Sequence, residues 1–167
     1  MDTRTELETD LIPTSGGELA ITFLGHGSLL FGWGGQWIYV DPYGKVADYS
    51  TLPKADLVLV THEHSDHLDP AALAAIRTDA TALVLPKLAH KQVGAGTVMG
   101  NGDSQTVAGL PIEAVAAYNV VHMRSSGTPF HPKGVGNGYV LTFADTRVYV
   151  AGDTENIPEM KALTDIA

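Results

Sequence analysis

The residues best suited to chemistry fall in one run, Thr61-His62-Glu63-His64-Ser65-Asp66-His67-Leu68-Asp69. His62 and His64 are two apart, so on extended backbone their rings project to the same side. Asp66 and His67 are adjacent, and as the chain turns toward a helix they face a different point. One loop thereby feeds two cation positions. Imidazole with carboxylate suits zinc, and also manganese or iron. Two such cations about 3.5–4 Å apart hold a substrate oxygen and a bridging hydroxide together. The competing reading is a solvated loop that happens to be rich in histidine. Scattering the chain's own histidines and aspartates at random yields H-x-H-x-D-H in about one chain in a thousand, which favours metal.

The elements around this run position it. Residues 56–60 (Asp-Leu-Val-Leu-Val) read as a short buried strand. Asp69 then supplies a cap, Pro70 a first helical residue, and residues 71–77 good helix formers. Strand, histidine-rich loop and helix follow in order, and ligands in open α/β sheets are handled at the carboxyl ends of strands. Further strands are predicted at residues 18–24, at 28–33 and 36–40 as a hairpin folded at Gly34-Gly35, and at 81–85. A short helix is expected at 87–93. Strands follow at 105–108 and 111–117 around Gly109, with 119–123 extending that sheet. Residues 124–136 lack periodicity, and long ordered loops are often functional. A last hairpin, 138–143 with 147–151, precedes a helix beginning near Pro158. Two runs of strands with helices inserted imply an α/β protein whose sheets are covered by helices on their outer faces.

With 167 residues the chain fits one domain, read as residues 18–167 after a polar, loose lead-in at 1–17. A net charge of −9 argues against nucleic acid or an anionic membrane as partner. It leaves an anionic small molecule open, because a bound cation inverts the local potential. The chain has no cysteine, hence neither disulfides nor thiolate ligands. Its first residues lack the apolar core of a signal peptide, and no apolar run reaches membrane-spanning length. A cytoplasmic protein is expected.

At this point the chain resembles the metallo-β-lactamase superfamily, whose H-x-H-x-D-H signature is matched at His62, His64, Asp66 and His67. It is similar in particular to the metal-dependent hydrolases that include L-ascorbate-6-phosphate lactonase-like proteins. Supporting stretches are Phe23-Leu24-Gly25-His26-Gly27-Ser28, Tyr39-Val40-Asp41-Pro42, Ala117-Tyr118-Asn119, Phe130-His131-Pro132-Lys133-Gly134 and Ala151-Gly152-Asp153-Thr154. The resemblance implies an αββα sandwich and a hydrolase acting on an ester, lactone or phosphoester through a metal-bound hydroxide. It implies one or two zinc ions. His62, His64 and His131 would hold the first and Asp66 and His67 the second, with Asp153 bridging. Asp66 would also orient the nucleophile as the catalytic carboxylate.

Competing readings make His131 a surface residue, give its role to His122, or make Asp153 a turn cap. Asp41 either supports a ligand histidine or forms the turn before Pro42. His26 either lines the cavity or satisfies its turn. Lys133 either attracts an anion or is solvated, and His90 reads as a surface residue. Gly25-His26-Gly27-Ser28 is not a serine nucleophile elbow. Gly134-Val135-Gly136-Asn137-Gly138 is not a dinucleotide loop.

Family members continue further, adding the rest of a second half and a final histidine for the second metal. Read as a whole protein, the chain has an incomplete second half and a second position one ligand short, so the first position is expected to fill preferentially. Exposed apolar sheet would then promote a homo-oligomer. The alternative function is a non-catalytic metal-binding or interaction protein derived from such a hydrolase.

Overall fold

A computed structural model describes residues 7–164. Strand β1 (Thr9–Thr14) opens a meander with β2 (Gly17–Gly25), β3 (Ser28–Trp33) and β4 (Gln36–Val40). The chain then crosses to β5 (Leu57–Leu59), helix α1 (Pro70–Ile76), β6 (Ala82–Leu85), α2 (Lys87–Val93) and β7 (Thr97–Val98). These strands form one mixed sheet in the order β1-β2-β3-β4-β5-β6-β7, antiparallel to β4 and parallel beyond it. A second, antiparallel sheet has the order β13-β12-β9-β8, built from β8 (Ser104–Val107), β9 (Leu110–Ala117), β12 (Gly136–Phe143) and β13 (Thr146–Val150). Between β9 and β12 lies a small hairpin, β10 (Met123–Ser125) with β11 (Thr128–Pro129).

Side-chain alternation decides the layers. Leu57 and Leu59 face the second sheet and pack with Phe31, Ile112, Leu141 and Phe143, while Val58 and Val60 face Leu73, Ile76 and Ala89 of the helices. Strand β5 is therefore buried on both faces, as its unbroken apolar sequence requires. Helix α1 starts where expected. The Asp69 carboxylate accepts from the amides of Ala71 and Ala72, with Pro70 in the first turn. The α/β class and the layered β-sandwich are as read from sequence. Among the described residues, α-helices cover the first sheet only, and none is long and apolar enough to cross a membrane.

Four expectations need correction. The lead-in at 1–17 is not loose where it is described. Thr9–Thr14 pairs with β2 as an edge strand that tolerates Pro13, and Ile12 packs on the core. Residues 1–6, and 165–167 at the other end, lie outside the described part. Residues 119–123 do not extend the sheet: the amides of Val120, Val121 and His122 bond to Glu155, that of Asn119 to the His131 carbonyl, and Met123 belongs to β10. The aperiodic stretch contains the β10–β11 hairpin. The segment from Pro158 is a 3-10 helix (Pro158–Leu163) without a side-chain cap.

One contact joins the sheets beside the histidine-rich loop. The buried Tyr139 hydroxyl of β12 donates to the Val60 carbonyl at 2.7 Å and lies 3.2 Å from Asn137 Nδ2. Substituting Tyr139→Phe strands that carbonyl in the core and should cost about 1–3 kcal/mol, measured as a lower urea midpoint of the metal-free protein.

Candidate metal centre

Every sequence-predicted ligand converges at one end of the sandwich. The loop after β5 delivers His62, His64, Asp66 and His67. The segment before β12 delivers His131, and the end of β13 delivers Asp153. Asp153 is the meeting point: its carboxylate lies 3.3 Å from His131 Nε2, 3.4 Å from His67 Nε2 and 3.9 Å from His62 Nε2. His62, His64 and His131 place ligand atoms within 4.8 Å of one another, and His26, Asp66 and His67 form an adjoining group of the same size.

This approach of the two sheets depends on Gly152. It sits at φ +64, and a Cβ there would lie 2.9 Å from the Asn137 carbonyl and 3.1 Å from Thr61 Cβ. A side chain would push β13 away from the histidine-rich loop. Only glycine takes that backbone and that spacing together.

Hydrogen bonds fix which nitrogen each ring offers. Asp41, buried after β4 at φ 47, accepts from the Thr61 amide at 2.7 Å, the Thr61 hydroxyl at 2.6 Å and His67 Nδ1 at 2.8 Å. Thr61 Oγ1, its proton committed to Asp41, accepts from His62 Nδ1 at 2.9 Å. Asn119 Oδ1 accepts from His131 Nδ1 at 2.7 Å and from the His131 amide. The Nε2 atoms of His62, His67 and His131 are thereby left facing Asp153. His64 turns its Nδ1 toward His62 Nε2, 3.1 Å away. Asp41 thus supports ligands and is itself fully engaged, which settles its role in favour of the supporting one.

Two observations show that the residues fit a cation. The buried Nε2 atoms of His67 and His131 make no hydrogen bond, although both aim at the Asp153 carboxylate. The donor set is also right for a borderline cation such as zinc. Burial, together with the neighbouring imidazoles, holds His62 down at about 3 and lowers His131, so both keep their lone pairs at neutral pH. Burial opposes charge on His67 as well. There the facing Asp153 carboxylate and the hydrogen-bonded Asp41 carboxylate win, and pull it up to about 10. Asp153 is held down at about 2, chiefly by His67.

The other singled-out residues sort clearly. His122 binds Glu155 at 2.5 Å and takes no part in the cluster. Lys133 is paired with Glu159, also at 2.5 Å, so its charge is already matched. His90 lies in α2, outside the cluster. His26 stands at φ 52 with Nε2 3.2 Å from Asp66 Oδ2, so it reaches the site rather than only satisfying its turn. Sequence reasoning quoted Asn119 within a supporting stretch without giving it a role, and passed over Glu155. Glu155 accepts from the amides of Val120, Val121 and His122 and from Asn119 Nδ2, so it anchors the segment that orients His131.

Two outcomes follow for metal binding. Asn119→Ala frees the His131 ring and should weaken zinc about 10- to 100-fold, read by competition with a chromogenic chelator. Because His67 carries a proton below pH about 10 in the metal-free protein, a cation taking Nε2 must displace it. Calorimetry in buffers of different ionisation enthalpy should show about one proton released by His67 at pH 7, with zinc affinity rising as pH rises toward that value.

The likeness to known proteins agrees with this centre. The model of the beta-lactamase superfamily domain matches residues 20–167. A metal-dependent hydrolase of Methanoculleus marisnigri is 32% identical over 148 residues, covering 89% of this chain and 64% of that protein. Its counterpart in Methanopyrus kandleri is 32% identical over 156 residues, covering 89% and 67%. The chain therefore spans about two thirds of these relatives' length. A crystal structure from Parabacteroides distasonis, described as a metal-dependent hydrolase, has a TM-score of 0.89 at 47% identity, covering 95% of this chain and 71% of that one. Igni18, a metallo hydrolase from Ignicoccus hospitalis, shares the fold, with a TM-score of 0.68 at 24% identity over 89% of this chain and 66% of its own. With its signature histidines and aspartates gathered at one end of the sandwich, this chain belongs to the metallo-β-lactamase superfamily.

Proposed function

We propose that the protein is a metal-dependent hydrolase, using one or two zinc ions to cleave an ester, lactone or phosphoester of a small molecule. Manganese or iron would suit the same ligands. The observation that carries this reading is the convergence of His62, His64, His67, His131 and Asp153 from both sheets, with Asp66 beside them. His62, His64 and His131 would hold a first cation and Asp66 with His67 a second, Asp153 lying between. Such cations supply Lewis acidity and a water acidic enough to act as a nucleophile near neutral pH.

The chain's own residues do the rest. Burial raises the Asp66 carboxyl, but its backbone amide and the His67 and His26 imidazoles outweigh this and keep it ionised. Its Oδ2 is held by His26, which fixes the carboxylate so that it would ligate the second cation and orient the attacking water. Asp41, Thr61 and Asn119 keep the imidazoles from turning while charge develops, so little reorganisation is needed. Phe130 and Pro132 flank His131 on one side of Asp153, and Phe23 and Tyr149 line a second cleft on the other. A substrate therefore has walls on both sides of the centre. The low content of clustered Lys and Arg fits a small molecule rather than nucleic acid or a membrane surface.

The test begins with metal content, then follows hydrolysis of a phosphodiester, a lactone and a thioester. Turnover of at least one is expected, abolished by chelation, restored by zinc and reduced about 100-fold or more in His64→Ala. Stoichiometric metal with no turnover on any of them would support the non-catalytic alternative instead.

A further inference from the structure

Arg124 touches the centre at His64, and among the described residues no carboxylate pairs with it. It lies at the irregularity of the small hairpin, where the register shifts between Met123 and Ser125. A bulge of this kind re-aims a side chain. Arg124 Nη2 is 3.3 Å from His64 Nε2, and its guanidinium lies 5.6 Å from the centroid of the Phe130 ring. The base of the hairpin is fixed by the Glu155 contacts to Val120, Val121 and His122. The arginine is thus carried on a built support.

The hydrogen-bond chain shows what this contact becomes when a cation is bound. Since His62 Nδ1 donates to Thr61, His62 Nε2 is an acceptor. His64 must then donate from Nδ1, and its Nε2 is free to accept from Arg124. A cation at the three-histidine position takes the Nδ1 lone pair, and the neutral ring then carries its proton on Nε2. The same nitrogen turns from acceptor to donor. Guanidinium is donor-only, so two donors now stand side by side, 3.3 Å apart, and an acceptor placed next to both satisfies them together.

We propose that Arg124 and His64 Nε2–H form an oxyanion-binding pair beside the metal centre, and that the substrate carries a carboxylate or phosphate group, separate from the bond cleaved, which this pair holds. The proposal rests on the hydrolase reading for its substrate and on metal loading for its donor pair. Arg124 is a positioning and selectivity residue here. Its fork suits either oxyanion, and the Phe130 face beneath it limits its rotation.

Zinc-loaded wild type, Arg124→Met and Arg124→Lys, checked for equal metal content, are titrated with inorganic phosphate and separately with succinate. The 15N resonances of His64 are followed in parallel. Wild type should bind at least one anion with a shift at His64 Nε2, and Arg124→Met should bind it about tenfold or more weakly. Lysine should recover part of the loss, and the tighter probe identifies the group. Two esters, mono-4-nitrophenyl succinate and 4-nitrophenyl acetate, then give a selectivity ratio that should fall about tenfold in Arg124→Met. Anion affinity equal in all three proteins, or no shift at His64 Nε2, would overturn the proposal. Arg124-dependent anion binding with no turnover of these esters, nor of the phosphodiester, lactone and thioester above, would retain the pair and reject the hydrolase.

Discussion

The buried carboxylate of Asp41 is the constraint on which this end of the molecule depends. Placed beyond β4 in a left-handed conformation, it has no access to water and must be satisfied by protein donors. The Thr61 amide, the Thr61 hydroxyl and the His67 ring fill that demand. Full burial pushes its carboxyl pKa up, against the pull of those same bonds. Two consecutive levels of order follow. Thr61, pinned by Asp41, in turn orients His62, while His67 is oriented directly. One carboxylate in the first sheet thus decides the tautomers of two imidazoles that would otherwise be free to flip.

The opposite wall is built by a different device. His131 lies in the irregular segment between β11 and β12, and its orientation is set by Asn119, which Glu155 holds from beyond β13. A loop carrying three amides on a single carboxylate is stiff without being part of a sheet. Aperiodic sequence here means irregular backbone with dense polar fastening, and so a ligand can be presented accurately from a loop.

Much of this was legible in the residues themselves. Gly34-Gly35 between apolar runs marks the β3–β4 hairpin, and Asp69-Pro70 marks the start of α1, because both are local backbone chemistry. The candidate cluster was legible because its loop signature is compact and its distant members sit just past strands or in the one long aperiodic stretch. The edge strand β1 was not, since Thr9-Asp10-Leu11-Ile12-Pro13-Thr14 has no strong alternation and owes its order to pairing with β2. The roles of Asn119 and Glu155 were invisible for a related reason. Their value lies in contacts across more than thirty residues of chain (|i−j| of 33 to 36), and polar residues in turns carry no periodic signal.

The distribution of ligands between layers has a thermodynamic consequence. His62, His64, Asp66 and His67 hang from the parallel part of the first sheet, whereas Asp153 hangs from the second. The sheets meet there through the close approach of Gly152, the Tyr139 hydroxyl on the Val60 carbonyl and the Asn137 amide on the Thr61 carbonyl. An ion lodged there is a clasp across a seam rather than an ornament on one surface. Whatever free energy it gains from its ligands is added to the cohesion of the sandwich itself, so the supply of metal in the surroundings sets how firmly the two halves of the fold stay shut.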